Sequence, residues 1–144
     1  MKNFNDLTEP ERKALMLGPV YITLLTSNID GKLDDMQEKS AVDFSHIKTY
    51  SCAPILRTYY NLVDKDFKKN LKIINDALPK VRETREFAIK AELTKLGPIL
   101  AKMDNEFAVA LHRSFHSFAE HVSRAHHSLL VSFIIPFNIK GINY

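Results

Sequence analysis

Phe107, Leu111, Phe115, Phe118, Val122 and Leu129 follow one another in steps of three, four and seven residues. Such steps line up along one side of an α-helix but scatter over both faces of a β-strand. A helix is therefore predicted from Asp104 to about Leu130, with this stripe against the core. The same period governs Leu15, Pro19, Ile22, Leu25 and Ile29, then Ile55, Leu56, Tyr59, Leu62 and Val63, then Phe67, Leu71, Ile74 and Leu78. It continues through Val81, Phe87, Ile89, Leu93, Leu96 and Leu100, and a helix from about Asp34 to Tyr50 is expected to turn Val42, Phe44 and Ile47 inward. With strand-type alternation missing from these segments, the expected fold is all-α. It is a compact single-domain bundle of five to seven helices with the 104–130 helix at its centre.

The breaks between helices are written in capping residues, glycines and prolines. Thr8-Glu9-Pro10-Glu11 is a capping box with proline in the first turn, so Thr8 is the predicted N-cap of the first helix. Gly18-Pro19 predicts a kink or a fresh start, because proline lacks an N–H and restricts its predecessor. Asp30-Gly31 ends one helix, Asp34 is placed to cap the next, Pro54 falls in a first turn, and Pro79 stops a run. Leu96-Gly97-Pro98-Ile99 before Asp104-Asn105 echoes Leu17-Gly18-Pro19-Val20 before Asp30-Gly31, a weak sign of internal duplication. The intervals disagree, eleven residues from Pro19 to Asp30 against six from Pro98 to Asp104, so residues 1–144 read as a single helical domain. A chain of 144 residues can hide roughly two-thirds of its unfolded surface, enough for a core without a staple.

Composition excludes several functions. Cys52 is the only cysteine, so no intramolecular disulfide or CxxC site exists, and a buried thiol in a reducing compartment is the expectation. The first residues lack the apolar stretch of a signal peptide, and no apolar run approaches the roughly 20 residues that span a bilayer. A cytoplasmic location with no transmembrane segment is the expectation. Residues 1–50 carry six basic and eight acidic side chains and residues 51–144 fourteen and nine, so the net charge of +3 is dispersed. Nucleic acid is not an expected partner, and Lys65, Lys68, Lys69 and Lys72 read as a solvated helix face. No phosphate-binding glycine loop or nucleophile elbow is present.

Two constellations could hold a metal. Asp30, Asp34, Asp35 and Glu38 place four carboxylates within nine residues of a turn and the helix that follows. Read as an EF-hand loop from Thr26 to Gln37, the stretch has Asn28, Asp30 and Gly31 at the third, fifth and sixth positions but no acid at either end. A weakly bound divalent cation on Asp30, Asp34 and Glu38, with Asp35 at the rim, is the ligand it predicts; helix capping by the same acids is the alternative. His112 and His116, four apart on the last helix, are an alternative zinc pair, followed by His121, His126 and His127. They lack an HExxH or ExxH setting, and histidines at the edge of a packed helix explain them equally.

Leu7-Thr8-x-x-Glu11-Arg12-x-Ala14-Leu15, leading to Asp30-Gly31-Lys32-Leu33-Asp34-x-x-x-Glu38, resembles the TerB-like family named for tellurite-resistance proteins, over roughly residues 7–125. The resemblance implies a compact all-helical fold without enzymatic chemistry and an acidic surface that binds metal ions in stress response. The chain departs from it in carrying Asp104-Asn105 in place of a second Asp-Gly, in its lysine-rich middle, and in an apolar tail. The function expected is thus a non-enzymatic helical domain that binds a divalent cation or a protein partner through the acidic turn, with a histidine-based metalloenzyme or zinc-binding protein as the alternative. The tail, with Phe133, Ile134, Ile135, Phe137 and Ile139, is expected to dock on the bundle or on a partner subunit in a homodimer.

Overall fold

A computed structural model describes residues 3–27 and 35–123. Among them are eight α-helical segments and no strand: α1 (Glu9–Met16), α2 (Gly18–Ser27), α3 (Asp35–Ser51), α4 (Arg57–Lys65), α5 (Phe67–Ala77), α6 (Arg82–Thr94), α7 (Leu96–Ala101) and α8 (Asn105–Ser123). Single-turn 3-10 helices at Phe4–Asp6 and Pro54–Leu56 precede α1 and α4. The all-α bundle predicted from periodicity is the fold observed. Three neighbouring pairs, α1–α2, α4–α5 and α6–α7, are separated only by Leu17, Asp66 and Lys95. The eight segments thus form five helical stretches, three of them broken by a single residue.

Local chemistry sets these breaks. Thr8 accepts the Glu11 amide at 3.3 Å while the Glu11 carboxylate accepts the Thr8 amide at 3.0 Å, so both halves of the capping box form. At Gly18-Pro19 the chain starts a fresh helix, and Leu96-Gly97-Pro98 opens α7 in the same way. Lys80 donates from its ammonium to the Asn75 and Asp76 carbonyls, both at 3.3 Å, closing the end of α5 just after Pro79. Asp104 accepts the Phe107 amide at 3.4 Å and so caps α8.

The centre is shared between α8 and α2. Phe107, Leu111, Phe115 and Phe118 are all buried, as the stripe predicts; the Val122 side chain and the extension toward Leu130 lie outside the described residues. The ten-residue α2 packs against α8, α6 and α5, and from Gly18 to Thr26 only Tyr21 keeps partial exposure. A helix apolar on every side has no face to give to water and must lie inside. Its hydroxyls are satisfied within the helix: Thr23 donates to the Pro19 carbonyl at 2.9 Å and Thr26 to the Thr23 carbonyl at 2.8 Å. Around this pair the rings of Phe4, Tyr59, Tyr60 and Phe107 meet edge-on or stacked, with centroids 5.0–6.3 Å apart. Such pairs add about 0.5–1.5 kcal/mol each beyond burial.

Several expected core positions are corrected. Ile47, Ile55 and Leu62 are each 37% exposed, and Val81 and Phe87 face solvent, while Arg85 is buried in their place. On α3 the buried residues are Ala41 and Ser45, small enough to let α4 approach; Val42 and Phe44 are only partly covered. Asp64 of α4 then receives the Ser45 hydroxyl at 3.1 Å and pairs with His46 Nδ1 at 3.2 Å, pinning the two helices by polar contacts. Cys52 is buried and free, as expected. No helix among the described residues is long and apolar enough to cross a membrane.

Candidate functional site

The acidic turn lies largely outside the described residues: Asp30 and Asp34 fall in 28–34, while Asp35 and Glu38 stand in the first turn of α3. Asp35 is exposed and Glu38 half-buried. Glu38 opens with Val42 onto a groove of about 520 Å³ whose other wall is the α4–α5 junction, with Lys65, Lys68, Lys69 and Lys72. Asp64 and Asp66 also line it, but Asp64 is already engaged by Ser45 and His46. None of the four lysines has an ion-pair partner among the described residues. Their charge opposes a divalent cation beside Glu38.

His112 and His116 do come together on α8. Their ring centroids are 4.5 Å apart, with His112 fully buried and His116 half-buried. Burial, and then the neighbouring imidazole, push His112 down to about 4; burial also lowers His116, against the pull of Glu120. Both rings are therefore neutral at physiological pH, the form that ligates metal. The Nε2 atom of His116 is enclosed without a hydrogen-bond partner. A zinc site needs a further ligand, and no group of three or more His, Cys, Asp or Glu gathers among the described residues to hold a metal. His121 does not supply it: its ring stacks on Phe44 with centroids 4.0 Å apart and its Nε2 lies 3.5 Å from the Ser40 hydroxyl. His126 and His127 lie outside the described residues.

Other polar groups of the core and its rim are committed to structure. Tyr59 donates to the Leu15 carbonyl, and Tyr60 shares a hydrogen bond with Ser114; burial raises both phenols above their ordinary range. Glu11, besides capping α1, pairs with Lys102 at the end of α7, and that contact leads in holding its carboxyl well below the usual range. Arg85 donates to the Asn75 carbonyl at 3.3 Å and to the Asn75 side chain, bridging α6 to α5.

A surface that the periodicity did not single out lies along α3. Met36 and Ile47, eleven residues apart, point within about 20° of each other on a helix of 3.6 residues per turn. Both are exposed, Met36 at 83%, and Tyr50 follows on the same side at 65%. Beside them runs a groove of about 400 Å³ lined by Met36, Ser40, Phe44, Ile47 and His121, with the 3.0 Å Lys39–Asp43 ion pair on its edge. The signal is legible as an apolar spacing of eleven, but the three-residue step from Phe44 to Ile47 equally predicts a buried face, and periodicity alone does not choose between them. No protein-family model, curated protein or solved structure matches this chain.

Proposed function

We propose that this chain is a non-enzymatic helical binding module whose ligand is a protein, engaged along the outer side of α3 and the acidic turn leading into it. The observation that carries the reading is the apolar stripe of Met36, Ile47 and Tyr50 beside the groove floored by Phe44 and His121. Scattered exposed apolar residues are ordinary on any surface, whereas an aligned set beside a concave apolar strip is what a partner buries. The lysines facing Glu38 favour a protein over a divalent cation as the ligand of this side of the molecule. The TerB-like kinship belongs to the same proposal and rests on the two sequence stretches that carry it. In the fold, the residues of the first stretch make a helix start: Leu7 and Leu15 are buried, Thr8 and Glu11 cap, and Arg12 donates to the Leu7 carbonyl at 2.8 Å.

A photoreactive phenylalanine analogue at Tyr50, and for control at Phe87 on α6, tests the reading in cells that express the chain. A discrete adduct with another protein is expected from position 50. It should disappear when Met36→Asp and Ile47→Asp are combined in a chain whose helical spectrum is unchanged. Identical adducts from both positions, or one indifferent to the α3 substitutions, would refute it.

A further inference from the structure

We propose that the groove between α3 and the α4–α5 junction binds a small phosphorylated polyol, with two or more phosphate groups on its lysine wall and hydroxyl groups on Glu38. The first observation is the wall itself. Lys65 ends α4, and Lys68, Lys69 and Lys72 follow on α5 across the break at Asp66, yet all four line one hollow of about 520 Å³. A lysine face that is only solvated has no opposite wall. Here α3 packs against both α4 and α5 and supplies one, with Glu38 and Val42. None of the four ammonium groups has a hydrogen-bond or ion-pair partner among the described residues. Four like charges around one hollow repel one another, and an anion between them relieves that repulsion. The groove shares no residue with the one beside Met36 and Ile47, so the proposal does not rest on the docking stripe. The apolar tail from Phe133 to Ile139, expected to dock, lies outside the described residues.

The second observation is the balance of charge. Asp64 is held by the Ser45 hydroxyl at 3.1 Å and by His46 at 3.2 Å, so Glu38 and Asp66 are the remaining acids of the groove against four lysines. A phosphate monoester carries about −1.5 to −2 charges at neutral pH, so two of them answer four ammonium groups, where single carboxylates would have to be twice as many. The hollow also has the size of a small-molecule site, roughly 300–1,000 Å³. A membrane surface or a nucleic-acid strand would carry its row of phosphates past exposed Asp66, whereas a compact ligand leaves that acid in water. The third observation is Glu38. An ionised carboxylate only accepts hydrogen bonds, so a ligand that sits against it must present donors beside its phosphates. The hydroxyls of a sugar or inositol ring are such donors, and Val42 with buried Phe67 gives the carbon frame an apolar floor.

Titration of the full chain with inositol trisphosphate, and with pyrophosphate for comparison, tests the assignment by heat and by the amide signals of residues 65–72. One saturable site is expected for the inositol ligand. Lys68→Gln combined with Lys72→Gln should weaken it about tenfold or more, because hydrogen bonds to charged groups are the stronger ones. Both lysines are exposed, so the core is untouched. Lys13→Gln combined with Lys95→Gln removes the same charge elsewhere and should weaken binding by less than about threefold, distant charges being screened. Glu38→Ala should weaken the inositol ligand but leave pyrophosphate, which has no hydroxyl-bearing frame, bound as before or more tightly. Equal losses from the two lysine pairs would reduce the effect to overall charge and overturn the proposal. So would the lack of a saturable response in both readouts, or a Glu38→Ala chain that binds both probes more tightly. Binding to phosphatidylcholine vesicles that carry phosphatidylinositol bisphosphate, without binding of the free trisphosphate, would make the wall a membrane contact and overturn it as well.

Discussion

Phe115 lies against the backbone of Gly18: a methyl group on Gly18 would stand 2.7 Å from Phe115 Cζ and 3.2 Å from Cε2. The glycine is required by this close approach of α2 to α8, where any side chain would meet a ring with no exposure to give way into. Gly18→Ala is expected to destabilise the fold by about 1–3 kcal/mol, as overpacking does. Phe115→Leu should recover part of that loss in the double variant. Denaturant unfolding of the four chains checks it, and strictly additive effects would show that the two residues do not meet.

His112 makes stability depend on pH. Its folded pKa of about 4 lies below the ordinary 6.5, so between those values the unfolded chain binds a proton that the folded chain refuses. Stability contributed by the neutral ring is complete above that window and is lost as pH falls through it, by up to about 3 kcal/mol. His112→Leu should flatten the wild-type slope in this range, read as the difference between the two chains' unfolding free energies at each pH. Equal slopes would place the acid sensitivity elsewhere.

Arg85 ties the end of α5 to α6 through Asn75, and its guanidinium is enclosed. Lysine cannot reproduce a planar fork with several donors, so Arg85→Lys is expected to cost about 1–3 kcal/mol by leaving the Asn75 groups unpaired. Hydrogen exchange at the 78–81 connection should accelerate in that variant. A melting temperature equal to that of the parent would show that water replaces the fork without loss.

Calcium should bind no more tightly than about 10⁻⁴ M, because the acidic turn lacks the acids that open and close a calcium loop and Glu38 faces lysines. Titration calorimetry measures this directly. A submicromolar constant, lost on combining Asp30→Asn, Asp34→Asn and Glu38→Gln, would make the turn a cation site and displace the protein-docking reading.

The sequence by itself determined the helix breaks at Thr8, Gly18-Pro19, Pro79 and Gly97-Pro98 and which stripe of α8 is buried, but not the break at Asp66 between α4 and α5, where the apolar spacing runs on unchanged. Those features depend on neighbours within a turn or two: the Thr8–Glu11 box, the two Gly-Pro breaks, and the three- and four-residue spacing of Phe107, Leu111, Phe115 and Phe118. Tertiary structure decided which of two apolar faces a helix would bury. Ile47 and Phe87 have the right period and the wrong side, because α3 meets α4 through Ala41 and Ser45, and because α6 turns Arg85 inward to reach Asn75. It also decided the candidate site. Whether His116 finds a third ligand, whether Glu38 faces a cation or four lysines, and whether Phe44 and His121 close a groove are relations between residues up to 81 positions apart, as with Ser40 and His121. Helical periodicity is local and carries no information about such pairs; only the packing of one helix on another fixes them.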